Sequence, residues 1–276
     1  MTKRFEGKVA FVTGAARGQG RNHAIRLAKE GAHIIAVDLC AQVDSVAYTM
    51  SSRDDLAITV KEVESHGGRI VATQADIRDY TALAKAVNEG VAQFGRLDIV
   101  SANAGICSYG AGEELPEQKW QDMIDINLTG AWHTAKATIP HLVTAGGGAI
   151  VFTASAAGQR PYPNCAHYVA SKHGVLGLMK ALAVELADRN IRVNAINPTT
   201  VATEMILNDY SYQYFRPDLE SPGVEDAKPG LAGWNALPVP WVDSDDVTNA
   251  LMYLASDEGR YVTGVALPVD AGCVVK

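Results

Sequence analysis

The chain has 276 residues, 47% hydrophobic and 20% charged, the balance of a folded globular protein and too apolar for a disordered one. Its net charge of -7 argues against a nucleic-acid binder, which needs a basic face to displace counterions from phosphates. The charged stretch Met1–Lys8 lacks the apolar run of a signal peptide, and no segment offers about 18 uninterrupted apolar residues, so a cytoplasmic protein without a membrane span is predicted.

Short β-branched runs alternate with helical patterns from end to end, the signature of βαβ units and a mostly parallel sheet. Strands are predicted at Lys8–Val12, His33–Val37, Arg69–Gln74, Asp98–Ala102, Ala149–Thr153, Arg192–Ile196 and Val265–Val269. Most are nearly continuous apolar runs, as expected of strands covered by helices on both faces. Helices are predicted at Gly20–Glu30, Leu56–Ser65, Tyr80–Phe94, Glu117–Leu142, Ala166–Asp188 and Asp245–Ala255. No linker or composition break divides them. The expected architecture is α/β: a single doubly wound Rossmann domain over 1–276, its seven-stranded sheet flanked by helices.

Two segments are too long for ordinary connections, which take about 2–6 residues. Cys40–Arg53 lies between the second strand and its helix, as an inserted loop. Thr203–Trp241 lies between the sixth strand and the last helix and carries Tyr210, Tyr212, Tyr214, Phe215, Trp234 and Trp241. Its aromatic, mostly uncharged character predicts a substrate lid. The four cysteines, Cys40, Cys107, Cys165 and Cys273, are scattered, with no CxxC pair and no zinc-ligand spacing, so free buried thiols and no metal site are expected.

The first strand runs into Thr13-Gly14-Ala15-Ala16-Arg17-Gly18-Gln19-Gly20, followed at once by a helix. Glycines there permit a tight turn and close approach of a pyrophosphate, whose charge is attracted by the free N–H groups of the helix start. A glycine string alone is a weak signal; its strand-turn-helix setting in the first βα unit makes it a dinucleotide motif. The second strand ends in Val37-Asp38-Leu39, where a carboxylate can accept hydrogen bonds from both adenosine ribose hydroxyls and would repel the 2'-phosphate of NADP. Arg17 points the other way, as a cation that could neutralise that phosphate. Asp38 sits where the ribose must lie, and NAD is the expected cofactor.

Tyr168 and Lys172 stand four residues apart on a helical pattern and so share one face. Such pairs are common by chance. Ser155, just beyond the fifth strand at the carboxyl edge of the sheet where ligands of open α/β folds bind, makes the set specific.

With these residues the chain resembles the short-chain dehydrogenase/reductase family over nearly all of its length. The pattern TGxxxGxG falls on Gly14, Gly18 and Gly20, Asn-Ala-Gly on Asn103-Ala104-Gly105, and YxxxK on Tyr168 and Lys172. The resemblance implies a catalytic set of Asn127, Ser155, Tyr168 and Lys172, with Asp76 and Ile77 beside the adenine and Val201 and Thr203 facing the nicotinamide. It also implies a homotetramer. The family's Pro-Gly after the sixth strand is here Pro198-Thr199, which loses a permissive backbone position.

Oxidising an alcohol requires a base for the hydroxyl proton as hydride leaves for the nicotinamide. A tyrosine with a pKa near 10 needs neighbouring positive charge to serve, and a shift of about three units corresponds to roughly 4 kcal/mol. Lys172 and the nicotinamide cation would supply that charge, Ser155 would hold the substrate oxygen, and Asn127 would by family analogy hold a water relaying the proton. His23, His133 and His167 lack a second ligand or base partner and read as structural or surface residues. Asp122 and Asp125 read as a solvated helix face.

The stretch Gly14–Ala24, the Val-Asp-Leu-Cys that follows and the inserted loop look like the mycofactocin-coupled, carveol dehydrogenase type within the family. That type is thought to keep NAD bound and pass electrons to the external redox carrier mycofactocin, and the loop Cys40–Arg53 is expected to fold over the adenosine end of NAD. The lid suggests an apolar, cyclic secondary alcohol or its ketone, a terpenoid before a steroid or short-chain alcohol. The rival readings are a free-cofactor ketone reductase using NADH or NADPH, separated by cofactor exchange, and a non-catalytic NAD-sensing scaffold, which would not need Ser155, Tyr168 and Lys172 together.

Overall fold

The structure, a computed structural model, describes residues 3–276. Seven parallel strands form one sheet in the order β3-β2-β1-β4-β5-β6-β7. They are β1 (Val9–Thr13), β2 (His33–Asp38), β3 (Ile70–Gln74), β4 (Ile99–Ala102), β5 (Gly148–Thr153), β6 (Ile191–Pro198) and β7 (Ala266–Val269). The chain winds outward from β1 in one direction and from β4 in the other. The connections leaving their carboxyl ends therefore run in opposite directions, and the crevice between them is the usual ligand position of this architecture.

Strand burial follows from composition. β1 reads Val-Ala-Phe-Val-Thr with every residue buried, because helices cover both faces. One face packs under α3 (Tyr80–Phe94), α5 (Gly130–Thr144) and α6 (Ala166–Glu185), with Leu83, Val87, Leu142 and Met179 fully buried. The other packs under α1 (Gly18–Lys29) and α9 (Ser244–Ala255), with Leu27, Leu251 and Leu254. Local chemistry starts and stops these helices. Ser52 and Asp55 close a capping box on α2 (Arg53–Ser65), Asp79 accepts the Thr81 and Ala82 N–H groups at the start of α3, and Gly95 ends α3 in the left-handed region at φ 83°. Among the described residues no helix is long and apolar enough to cross a membrane.

Three expectations are corrected. The predicted helix Glu117–Leu142 is two helices, α4 (Glu117–Ile124) and α5, joined by a π-helical turn at Asp125–Thr129. Hydrophobic periodicity misses a turn widened by one residue. It is held by Asn127, whose amide bonds both backbone groups of Ile106, and by Gly130, where a Cβ would stand 2.5 Å from Ile77 Cδ1. Second, Asp122 is 6% exposed, not solvated: it pairs with Arg78 at 3.1 Å and accepts the Ser45 hydroxyl at 2.7 Å. Asp125 instead accepts from Gln121 on the exposed side.

Third, the segment 203–241 is not an irregular loop. It holds α7 (Asp209–Phe215) and α8 (Val224–Trp234), and both of its cations pair within it, Arg216 with Asp218 and Lys228 with Glu225. The segment 40–53 does lack helix and strand up to Ser52, with Arg53 opening α2, yet it is pinned from within. The Gln42 amide donates to the carbonyls of Val43, Val46 and Tyr48 and accepts the Met50 N–H, while Val43, Val46 and Tyr48 join the core.

Candidate active site

At the crevice between β1 and β4 the turn Gly14–Gly20 lines a cleft of about 900 Å³. Gly14 and Gly18 have φ of 66° and 54°, conformations that L side chains rarely adopt. Thr13 fixes the turn against the neighbouring strand, its hydroxyl accepting the N–H groups of Asn103 and Ala104 at 3.0 and 3.1 Å. The Asn103 side chain is spent on the same task, donating to Thr13 O at 3.1 Å and accepting from Thr153 Oγ1 at 3.2 Å. Arg17 and Gln19 also line the cleft, and Gln19 Oε1 is a buried acceptor without a partner among the described residues.

Asp38 ends β2 with 6% exposure, also on this cleft. Its carboxylate accepts Ala16 N–H at 2.9 Å, Cys40 N–H at 3.0 Å and the Ser51 hydroxyl at 2.6 Å. Two of these donors come from the 40–53 segment, so the insertion sets the orientation of the acid. A carboxylate has about four lone-pair sites, which leaves accepting capacity for a ribose. Leu39, Asp76, Ile77, Ala104 and Gly105 complete the wall, and Asp76 is held by Arg78 at 2.7 Å.

The glycine turn, the acceptor at the end of β2 and the orphaned Gln19 fit a dinucleotide. A Cβ on Gly18 would stand 3.2 Å from Thr203 Cγ2, so the turn also faces the segment that closes the cleft.

A second cavity adjoins the first through Gly105, Ile106, Thr203 and Met205. Ser155, Tyr168 and Lys172 lie together on its wall with Val201. Ser155 follows β5 in extended conformation and accepts Ala157 N–H at 3.1 Å, which leaves its own proton for a ligand oxygen. Lys172 is 4% exposed, donates to Thr153 O at 2.9 Å and sits 5.6 Å from the Tyr168 ring. Burial pushes Lys172 down to about 8, so at neutral pH the ammonium still predominates. Burial pushes the Tyr168 phenol up, and the neighbouring Ser155 hydroxyl pulls it back. Asn127 is not in this group: with 2% exposure, its side chain is committed to Ile106 N at 2.8 Å and O at 3.0 Å.

The remaining lining is apolar or aromatic, with Ile106, Cys107, Tyr109, Cys165, Ile206 and Trp234. The segment 203–241 closes this side. Tyr214 stacks on Tyr109 at 4.0 Å, and Tyr210 Oη accepts Tyr109 N–H at 2.8 Å and donates to its carbonyl at 2.9 Å. Sequence reasoning missed Tyr48, Met50, Ser51 and Met205 in the first cavity and Cys107, Cys165 and Tyr162 in the second. Only the length of the insertion signalled the first three. The histidines each bond one neighbour: His23 to Ser101, His133 to Ile77 O and His167 to Ser108.

Pro198-Thr199, where the family has Pro-Gly, costs no backbone strain, because Thr199 keeps a negative φ. Its hydroxyl donates at 2.8 Å to Asn235 Oδ1, and Asn235, 1% exposed, donates in turn to Val239 O at 2.7 Å. Thr199 thus latches the far end of the segment onto β6. Thr199→Val is expected to lower stability by about 1–3 kcal/mol through the stranded acceptor, read from the urea midpoint, whereas Thr199→Ser should retain it.

A family model described as short chain dehydrogenase matches residues 8–211. The chain is 51% identical to a (-)-trans-carveol dehydrogenase of Rhodococcus erythropolis, over 99% of each protein. It is similar to the crystal structure of a carveol dehydrogenase from Mycobacterium avium in complex with NAD, at 55% identity and TM-score 0.98 over the whole of both chains. It is also similar to a short chain dehydrogenase from Mycobacterium paratuberculosis bound to NAD, at 42% identity and TM-score 0.90 over 99% of this chain and 100% of that one.

Proposed function

The chain belongs to the short-chain dehydrogenase family, and from that premise we propose that it transfers a hydride between NAD and an apolar, cyclic secondary alcohol of the terpenoid class. The observation that carries this reading is the placement of Ser155, Tyr168 and Lys172 on one wall of an otherwise apolar cavity that opens onto the glycine-lined cleft. A cavity of this kind orients a ligand by shape and a few polar contacts, which suits a ring bearing one hydroxyl.

The dinucleotide is held by Gly14, Arg17, Gly18, Gln19 and Gly20 at its phosphates, Asp38 and Leu39 at the adenosine ribose, and Asp76 and Ile77 at the adenine. Asn103, Ala104, Gly105, Val201 and Thr203, with Tyr168 and Lys172, lie along the nicotinamide half. Bound NAD supplies the hydride acceptor and a positive charge beside the phenol. Ser155 holds the substrate oxygen with the proton that Ala157 leaves free. Tyr168 takes the hydroxyl proton at its Oη as the C–H bond breaks, and the Lys172 ammonium steadies the negative oxygen that accepts it. Asn127 contributes through position: with its amide bound to Ile106, a water in the relay would meet its main-chain carbonyl.

The 40–53 segment slows NAD release, because Cys40 and Ser51 tie it to the carboxylate that binds the ribose. Electrons then leave by a redox carrier, for which mycofactocin is the candidate. A homotetramer accounts for the exposed Tyr253, Tyr261 and Val265 near the β7 edge and for Trp120 and Trp132 on α4 and α5. Four free, buried cysteines suit the cytoplasm.

Denaturing the purified protein is expected to release NAD and not NADP. The native protein should oxidise cyclic terpenoid alcohols with an artificial electron acceptor. Release of NADPH, or turnover confined to small polar alcohols, contradicts the assignment.

A further inference from the structure

The 40–53 segment places one polar group that neither the fold nor the catalytic set explains. The Tyr48 ring is 6% exposed and packs with Val43 and Val46 in the core, while its edge lines the dinucleotide cleft. Its hydroxyl accepts the N–H of Cys107 at 3.3 Å, two residues beyond Gly105. A phenol carries one proton as well as its lone pairs, and no acceptor for that proton is found among the described residues. Burial pushes the phenol up, so the proton stays on it, and the Arg17 guanidinium lies near enough to pull the other way. Tyr48 in turn adds to the upward push on Tyr168. The ring lines the first cleft with Arg17 while the hydroxyl is bonded to Cys107 on the wall of the second, beyond the reach expected of a loop covering adenosine alone.

We propose that Tyr48 donates a hydrogen bond to the bound dinucleotide in its central part, to a phosphate or ribose oxygen, so that the insertion grips the cofactor at two points. Asp38, aligned by Cys40 and Ser51, is the first point and Tyr48 the second. This inference rests on the reading that the cleft holds NAD. A hydroxyl on the cleft that already accepts the Cys107 N–H keeps its own proton for a ligand, and an oxygen-rich ligand filling the cleft supplies a fixed acceptor for it. The hydroxyl thus stabilises the complex more than the free protein. Gln42, bonded to the carbonyls of Val46 and of Tyr48 itself, keeps the ring in place as the ligand enters.

Tyr48→Phe keeps the ring packing and removes the hydroxyl alone. NAD release, followed by chasing labelled NAD from the loaded protein with excess unlabelled NAD, is expected to quicken roughly five- to tenfold, the effect of one neutral or weakly charge-assisted hydrogen bond. The NAD-free variant should melt somewhat lower, because the Cys107 N–H loses its acceptor, and the further rise in melting temperature caused by saturating NAD should shrink as well. Wild-type release from the variant overturns the proposal. So does a lower melting temperature of the NAD-free variant with an undiminished NAD-induced rise, which assigns the hydroxyl to the Cys107 N–H alone. Wild-type protein that neither retains nor is stabilised by NAD refutes the cofactor reading itself, a failure distinguishable from that of Tyr48.

Discussion

Tyr168→Phe is expected to lower turnover by roughly 10²–10⁴-fold while NAD remains bound, because it deletes the oxygen that takes the substrate proton in the proposed reaction. The ring itself packs, partly buried, against the core, and phenylalanine preserves that packing. Nothing in the glycine turn or at Asp38 depends on the hydroxyl, since those groups are bonded to Thr13, Asn103, Ala16, Cys40 and Ser51. The size of the effect comes from the environment of the phenol. Burial drives it away from the basic form and the Ser155 hydroxyl pulls it back, so in the proposed reaction the oxygen needs the positive charge that Lys172 and bound NAD would bring beside it. A surface tyrosine near a surface lysine would show no such dependence. Turnover with an artificial acceptor and an NAD titration by calorimetry separate the two outcomes. Near-wild-type turnover in the variant removes Tyr168 from the chemistry.

The parts of the fold and site that could be read in the sequence are those whose chemistry allows few residue types. Buried parallel strands must be apolar throughout, and the predicted strands fall within a residue or two of those observed, Lys8–Val12 against Val9–Thr13 and His33–Val37 against His33–Asp38. A turn at φ 66° and 54° calls for glycine, and the carboxylate expected at the end of the second strand does line the cleft. What escaped depends on where an irregular segment is carried in space. Tyr48 looks like any loop tyrosine until Gln42 bends the segment back and sets the ring on the cleft. Asp122 looks like a surface acid on a helix until Arg78 and Ser45 arrive from other parts of the chain. The π-helical turn at Asp125–Thr129 is invisible to a period of 3.6, because its cause, the bond from Asn127 to Ile106, spans 21 residues. Thr199 looked like a lost backbone freedom and is a gained hydrogen bond, since its partner Asn235 lies 36 residues away.

Gly20→Ala is expected to damage folding and cofactor binding together, even though the substitution favours a helix. Gly20 lies in the first turn of α1 without a positive φ, and by propensity alone alanine there would gain about 1 kcal/mol. The contacts decide against it. A Cβ at that position would stand 2.0 Å from Gly14 O, 2.7 Å from Gly14 C and 2.8 Å from Asn103 Nδ2. The first two are backbone atoms, and no rotamer change can move them. Gly14 cannot retreat, because the Ala104 Cα already lies 2.9 Å from where its own Cβ would be, with Thr13 bonded to the same loop. Either α1 slides away from the sheet or the turn opens, and both displace the N–H groups that face the cleft. Overpacking of this kind costs about 1–3 kcal/mol or more. A displaced anion cradle should weaken NAD binding at least about tenfold, some 1.4 kcal/mol. Gly233→Ala in α8, where nothing lies within 4 Å of the added Cβ, is the control and should change neither quantity appreciably. The urea midpoint and an NAD titration on both variants check the argument. If Gly20→Ala binds NAD as tightly as the parent protein, the close approach of α1 to Gly14 is a packing detail and the grip on the dinucleotide lies elsewhere in the cleft.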